Sequence, residues 1–164
     1  LPDESPHALV RRLGEAKAAA VAGDLVIGSD QVAVVDDEIF GKPLTVEAAE
    51  QQLRRLSGRE IEFLTSVAVR NGENGECYSD IVPVTVAFRR LTAADIATYI
   101  AIEQPLDCAG GFKCEGLGIT LFERIESADP TALTGLPLIA LARLLRRHGF
   151  DVLAELSAQH RGVR

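Results

Sequence analysis

Leu25-Val26-Ile27-Gly28-Ser29-Asp30-Gln31 is the stretch on which the fold turns. Three apolar residues suited to a buried strand run into a glycine, a hydroxyl and a carboxylate. In α/β proteins the carboxyl end of a strand is where ligands are presented. Asp30 at that point is able to hold a divalent cation or to accept a proton from water. A carboxylate that only turns or caps the chain after the strand is the competing reading.

Working outward, Ser5-Pro6 opens a helix, with Leu9, Val10, Leu13, Ala16 and Ala20 at helical spacing to about Ala22. After Asp30, Val32 to Val35, a turn at Asp36-Asp37 and Glu38-Ile39-Phe40 form a hairpin. Thr45 caps a second helix with Ala49, Leu53 and Leu56 on one face, and Gly58 stops it. Ile61 to Arg70 and Cys77 to Arg90 are β-like runs joined by Asn71-Gly72-Glu73-Asn74-Gly75, which predicts an antiparallel pair. Pro83 pushes the second run toward a sheet edge or a bulge. Thr92 and Asp95 make a capping box for a third helix. Pro105 to Gly111 reads as a loop and Leu117 to Ile125 as a strand. Pro137 starts a final amphipathic helix closed by Gly149, and the tail after Val152, with Arg161 and Arg164, is polar and prone to fray. The pattern predicts one domain over 1–164, an α/β fold with a mixed, strongly twisted central sheet flanked by helices.

Composition narrows the function. The chain has 164 residues, 47% apolar and 25% charged, with a formal net charge of -7. That balance argues against a nucleic-acid partner, which wants a basic face. No apolar run approaches a membrane span and no basic-then-apolar leader opens the sequence, so a cytoplasmic, membrane-free protein is expected. Cys77, Cys108 and Cys114 form no CxxC pair and predict small buried or half-buried thiols, although Cys108 and Cys114 bracket a Gly-rich turn that would suit a redox switch. His7, His148 and His160 lack ligand spacing and read as surface residues.

A polyphosphate site in so acidic a chain needs clustered cations, a divalent metal or both. Only three lysines stand against fourteen arginines: Lys17, Lys42 in Gly41-Lys42-Pro43, and Lys113 in Gly110-Gly111-Phe112-Lys113. The last two sit on turns whose free backbone N–H groups suit phosphate oxygens. Glu115 follows in Cys114-Glu115-Gly116, and taken singly each of these is as readily a solvated surface charge. No Walker loop and no serine nucleophile elbow is present.

Taken in order, Glu15-Ala16-Lys17-Ala18, Ile27-Gly28-Ser29-Asp30-Gln31, Gly41-Lys42-Pro43, Leu56-Ser57-Gly58, Pro105-Leu106-Asp107-Cys108-Ala109-Gly110 and Gly135-Leu136-Pro137-Leu138 resemble the Maf family of nucleoside triphosphate pyrophosphatases, from Asp3 to Phe150. The resemblance implies a twisted α/β/α architecture, a homodimer, and cleavage of the α–β phosphoanhydride with a divalent cation such as Mg or Mn. It implies Asp30 as proton acceptor and possible metal contact, and Lys17 and Lys42 as phosphate-binding residues, with Lys113 a further phosphate contact. Gly28-Ser29-Asp30-Gln31 and Phe112-Lys113-Cys114-Glu115-Gly116 are similar to the branch acting on 7-methyl-GTP, whereas dTTP and UTP members carry Gly-Ala-Asp-Thr and a Gln-Gly. Glu115 and Gln31 are then the specificity residues, since a carboxylate accepts from both N1–H and N2–H of guanine. The family's opening strand and Ser-x-Ser-Pro-x-Arg-Arg loop have no counterpart, and Arg11-Arg12 fall inside the first helix. The alternatives are a non-catalytic nucleotide binder with a septum-regulating role and a broad house-cleaning pyrophosphatase.

Overall fold

Ser5 accepts a hydrogen bond from the Ala8 amide at 3.2 Å and Pro6 fills the first turn, so α1 (Pro6–Ala19) starts where the sequence places it. The computed structural model describes residues 4–36 and 38–161. Asp37 of the expected turn and Arg164 of the expected tail lie outside them. The strands are β1 (Leu25–Val35), β2 (Glu38–Phe40), β3 (Glu60–Asn71), β4 (Cys77–Phe88) and β5 (Phe122–Ser127). They form one sheet in the order β2-β1-β3-β4-β5. The remaining helices are α2 (Val46–Leu56), α3 (Ala93–Glu103), α4 (Leu138–Arg147) and α5 (Val152–Arg161). The α/β class with a helix-flanked central sheet is what is observed, and every pairing among the described residues is antiparallel.

Local signals explain most boundaries. Thr45 caps α2, and Gly58 follows it with φ +68°. Thr92 and Asp95 form the full reciprocal capping box of α3. Pro83 lies in an internal strand, yet β5 pairs with β4 only from Val84 onward, so the proline occupies a local edge.

Three expectations are corrected. Gly28 does not end the first strand: β1 pairs with β3 without a break from Leu25↔Asn71 to Val34↔Glu62. The glycine serves packing instead, because a Cβ there would stand 2.2 Å from the Gly14 carbonyl oxygen and 2.4 Å from the Ala18 amide. Its bare backbone lets α1 lie directly on the strand. Residues Leu117–Leu121 form a 3-10 turn rather than a strand, since Gly118 must sit against the Lys113 backbone and Thr120 Oγ1 bonds back to the Leu117 carbonyl. The tail after Val152 is helical, its start capped by Asp151 Oδ1 on the Leu153 and Ala154 amides.

The two faces of the sheet bury different partners. Val32 and Val34 pack with Val10 of α1 and with Leu64. Ala33, Val35, Phe63 and Val67 join the larger core beneath α2, α3 and α4, which includes Leu53, Ile96 and Leu144. The strand period of two thus sends even-numbered residues of β1 to α1 and odd-numbered ones to the main core. β2 pairs only with residues 33–35 of β1, so residues 25–32 have no strand on that side among the described residues. No helix of the described residues is long and apolar enough to cross a membrane.

Candidate functional site

Strand alternation divides the expected site residues. Asp30 belongs to the even set and turns toward α1, where Lys17 Nζ donates to its Oδ1 at 2.5 Å and to the Ser29 carbonyl at 2.9 Å. The lysine side chain is 57% exposed and the aspartate 19%, so this pair is worth at most about 1 kcal/mol to stability. The expectation that Asp30 ends a strand is therefore overturned: it stands mid-strand, facing α1.

Gln31, one residue on, faces the opposite way and lines a cavity of about 570 Å³. Lys42, Lys113 and Glu115 line the same cavity, with Asp107, Cys108 and Cys114 beside them and Phe63 and Phe112 at its apolar wall. Four of the six expected residues are thus brought together, while Lys17 and Asp30 are held apart on the other face of β1.

Each wall has a local cause. Phe63 and Phe112 meet edge to face with ring centroids 5.2 Å apart, a favoured aromatic geometry. Gly110 and Gly111 have φ of +74° and +72°, which carries the chain through a tight turn into Lys113. The Lys113 amide donates to the Tyr99 hydroxyl at 2.9 Å, and its ammonium donates to the Glu103 carbonyl at 3.1 Å. Burial pushes the Tyr99 hydroxyl up to about 12, so it stays protonated at neutral pH. Lys42 stands in the irregular segment between β2 and α2, tied to the neighbouring loop by the Leu44 amide bonding the Leu106 carbonyl at 3.0 Å.

The hydrogen bonds of Gln31 fix what it offers. Thr65 Oγ1 gives its single proton to the Ala132 carbonyl at 3.0 Å, so it accepts from Gln31 Nε2 at 2.8 Å. The same Nε2 donates to the Ala132 carbonyl at 3.0 Å. With its nitrogen committed, Gln31 presents its amide oxygen as an acceptor.

Burial works against thiolate formation at the two cavity thiols. Burial raises the Cys108 thiol, and burial with the bond to Glu115 pushes Cys114 up to about 11. Cys77 is exposed, contrary to the small buried thiol expected, and all three cysteines are free. His148 is also not a bare surface residue, since its Nε2 lies 3.0 Å from the Val69 carbonyl and its ring packs on Tyr78.

Several supporting residues escaped the sequence reading. Asp129 is 2% exposed and accepts four hydrogen bonds, from the Thr131 amide and hydroxyl and from the Ile139 and Ala140 amides. It thereby fixes the segment 129–140 that bears Leu133 and Thr134, two cavity residues. Asp129-Pro130-Thr131 ahead of a helix was the available signal. Ser29 shares its proton between the Ser66 and Gly135 carbonyls at 2.6 and 2.7 Å, binding β1 to the same segment.

Residues 1–148 match the family model described as Maf-like protein. The chain belongs to the Maf family. Membership assigns it, at the coarse level, to the nucleotide pyrophosphatases, hydrolases that generally use a divalent metal. Among the described residues no group of three or more His, Cys, Asp or Glu side chains forms a metal cage. Asp30 has its Oδ1 held by the Lys17 ammonium at 2.5 Å, which leaves one carboxylate oxygen for a cation that substrate phosphates would also have to hold.

Proposed function

We propose that this chain hydrolyses the α–β phosphoanhydride of a guanine-type nucleoside triphosphate, with 7-methyl-GTP as preferred substrate. The observation that carries the reading is the polarity of the cavity's reading groups. Gln31 offers an amide oxygen and Glu115 a carboxylate, so both accept. A guanine edge offers paired N–H donors, and methylation at N7 makes the ring cationic and those donors stronger. A uracil or thymine edge has one N–H between two carbonyl oxygens, which two acceptors repel. Phe63 and Phe112 supply an apolar surface for the base plane.

In this reading Lys42 and Lys113 stabilise the charge that develops on the departing pyrophosphate. A water oxygen bonds the α-phosphorus as the bridging bond to the β-phosphate breaks, and Asp30 takes the water's proton. Lys17 keeps the Asp30 carboxylate oriented. Because Asp30 faces α1 and the cavity lies on the other side of β1, the reading requires the α-phosphate to pass around β1 from the cavity to Asp30. A divalent cation, when bound, supplies further neutralisation of the phosphates, with Asp30 as its protein contact. A homodimer is proposed as the working assembly, to be checked by light scattering.

The test is a panel of triphosphates with product identification. Pyrophosphate and a monophosphate should form, fastest from 7-methyl-GTP. Orthophosphate release, or equal turnover of UTP, dTTP and 7-methyl-GTP, overturns the proposal. One observation favours a second reading, nucleotide binding without turnover: Asp30 and Lys17 lie on the face away from the cavity. Binding to 7-methyl-GTP with no product at any metal concentration selects it.

A further inference from the structure

Gln52 does not line the cavity, yet it lies between the two segments that carry the cavity's lysines. From α2 its Nε2 donates to the Gly41 carbonyl at 3.1 Å, one residue before Lys42. Its Oε1 is buried with no hydrogen-bond partner among the described residues. That oxygen faces Gly111, two residues before Lys113: a Cβ on Gly111 would stand 3.4 Å from it. The amide cannot be reversed, because its oxygen would then oppose the Gly41 carbonyl.

The segment it grips needs holding. Leu44 has φ +63°, a left-handed conformation that a branched aliphatic side chain disfavours, and its side chain is largely exposed. Packing of that side chain therefore does not impose the shape. Two hydrogen bonds do: Gln52 to the Gly41 carbonyl, and the Leu44 amide to the Leu106 carbonyl. The buried, unpaired Oε1 works against stability and so opposes what the bond to the Gly41 carbonyl contributes.

We infer that Gln52 is a positioning residue that sets the spacing of Lys42 and Lys113 for a pyrophosphate-sized anion. The inference rests on the reading of this cavity as a phosphate site. Gln52 touches no substrate; it acts through the Gly41–Leu44 segment and against the Gly110–Gly111 turn.

The experiment uses Gln52→Met, which keeps the length and removes both polar ends, and Gln52→Asn, whose amide is too short to reach Gly41. Thermal midpoint, kcat and KM for pyrophosphate release from 7-methyl-GTP, and calorimetric binding of inorganic pyrophosphate are measured in parallel. In both variants kcat/KM and pyrophosphate affinity should fall about five- to tenfold, the size of one hydrogen bond. The midpoint of the Met variant should stay level or rise. Unchanged pyrophosphate affinity in both variants overturns the inference, as does a Met variant whose only loss is in thermal midpoint. If the wild type binds pyrophosphate but turns over no triphosphate, the proposed activity fails while the binding comparison still decides the role of Gln52. If the wild type binds no pyrophosphate, the inference falls with the phosphate site.

Discussion

Asp30 and Gln31 are chain neighbours whose side chains leave β1 on opposite faces, one paired with Lys17 of α1 and the other hydrogen-bonded to Thr65 above the cavity. Under the proposed function this division separates proton transfer from base recognition, so their substitutions should fail differently. Asp30→Asn removes the proton acceptor but keeps the shape. Pyrophosphate release should drop about 100- to 10,000-fold, the usual range for a lost general base. The thermal midpoint should barely move, because the Lys17 pair is half exposed. Parallel kinetics and calorimetry check this, and an Asn variant that turns over normally removes Asp30 from the chemistry.

Glu115→Gln tests recognition alone. The residue is exposed and its one side-chain hydrogen bond among the described residues is from the Cys114 thiol at 3.4 Å, so folding should be indifferent. Replacing a charged acceptor by an amide should cost about 1.5 to 3 kcal/mol toward the methylated guanine, or roughly 10- to 100-fold in preference over UTP. The ratio of kcat/KM values for the two nucleotides is the measurement. An unchanged ratio places the base elsewhere.

These two outcomes mark how far the sequence could be read. Ser5, Thr45 and the Thr92–Asp95 pair announced their helices because capping is local chemistry, visible within four residues. Lys42, Lys113 and Glu115 drew notice because glycines stand near each of them, and the cavity gathers all three, while their roles rest on the proposed function. Gly28 misled because a glycine after an apolar run signals a strand end just as well as a close helix contact, and only α1 in place decides. The opposite facing of Asp30 and Gln31 follows from that same error: once β1 is continuous, alternation requires it. Gln52 matters through Gly41, eleven residues back, and no local pattern carries such information; Asp129 left the local signal Asp129-Pro130-Thr131, but its bonds to the Ile139 and Ala140 amides lie beyond any local reading.

Gly28→Ala tests the corrected strand. The new methyl would meet backbone atoms of Gly14 and Ala18, which cannot rotate away as a side chain would. Overpacking of this kind costs about 1 to 3 kcal/mol or more. Because α1 must lift from β1, Lys17 should also lose its hold on Asp30, so activity should fall together with the midpoint. A variant with wild-type stability would mean that α1 does not pack on this strand as described.

Asp129 should make stability depend on pH. Burial raises its carboxyl, but the hydrogen bonds from Thr131, Ala140 and Ile139 outweigh that, leaving its folded-state value below the usual one. A depressed carboxylate contributes stability that is complete above its unfolded value, about 3.9, and is lost as pH falls through the lower folded value. The thermal midpoint should therefore hold above about pH 4 and fall below it. Asp129→Asn should remove part of this acid sensitivity while lowering stability at neutral pH. All four donors aim at its two oxygens, so either orientation of an Asn places an N–H₂ against N–H or O–H groups. The neutral-pH loss should be roughly 2 to 4 kcal/mol, as for a broken buried network. Because the segment 129–140 also carries Leu133 and Thr134, KM should rise even at temperatures where the variant is fully folded. Midpoints measured from pH 2.5 to 7 for both proteins check the argument; parallel curves would show that Asp129 titrates equally in the folded and unfolded chains.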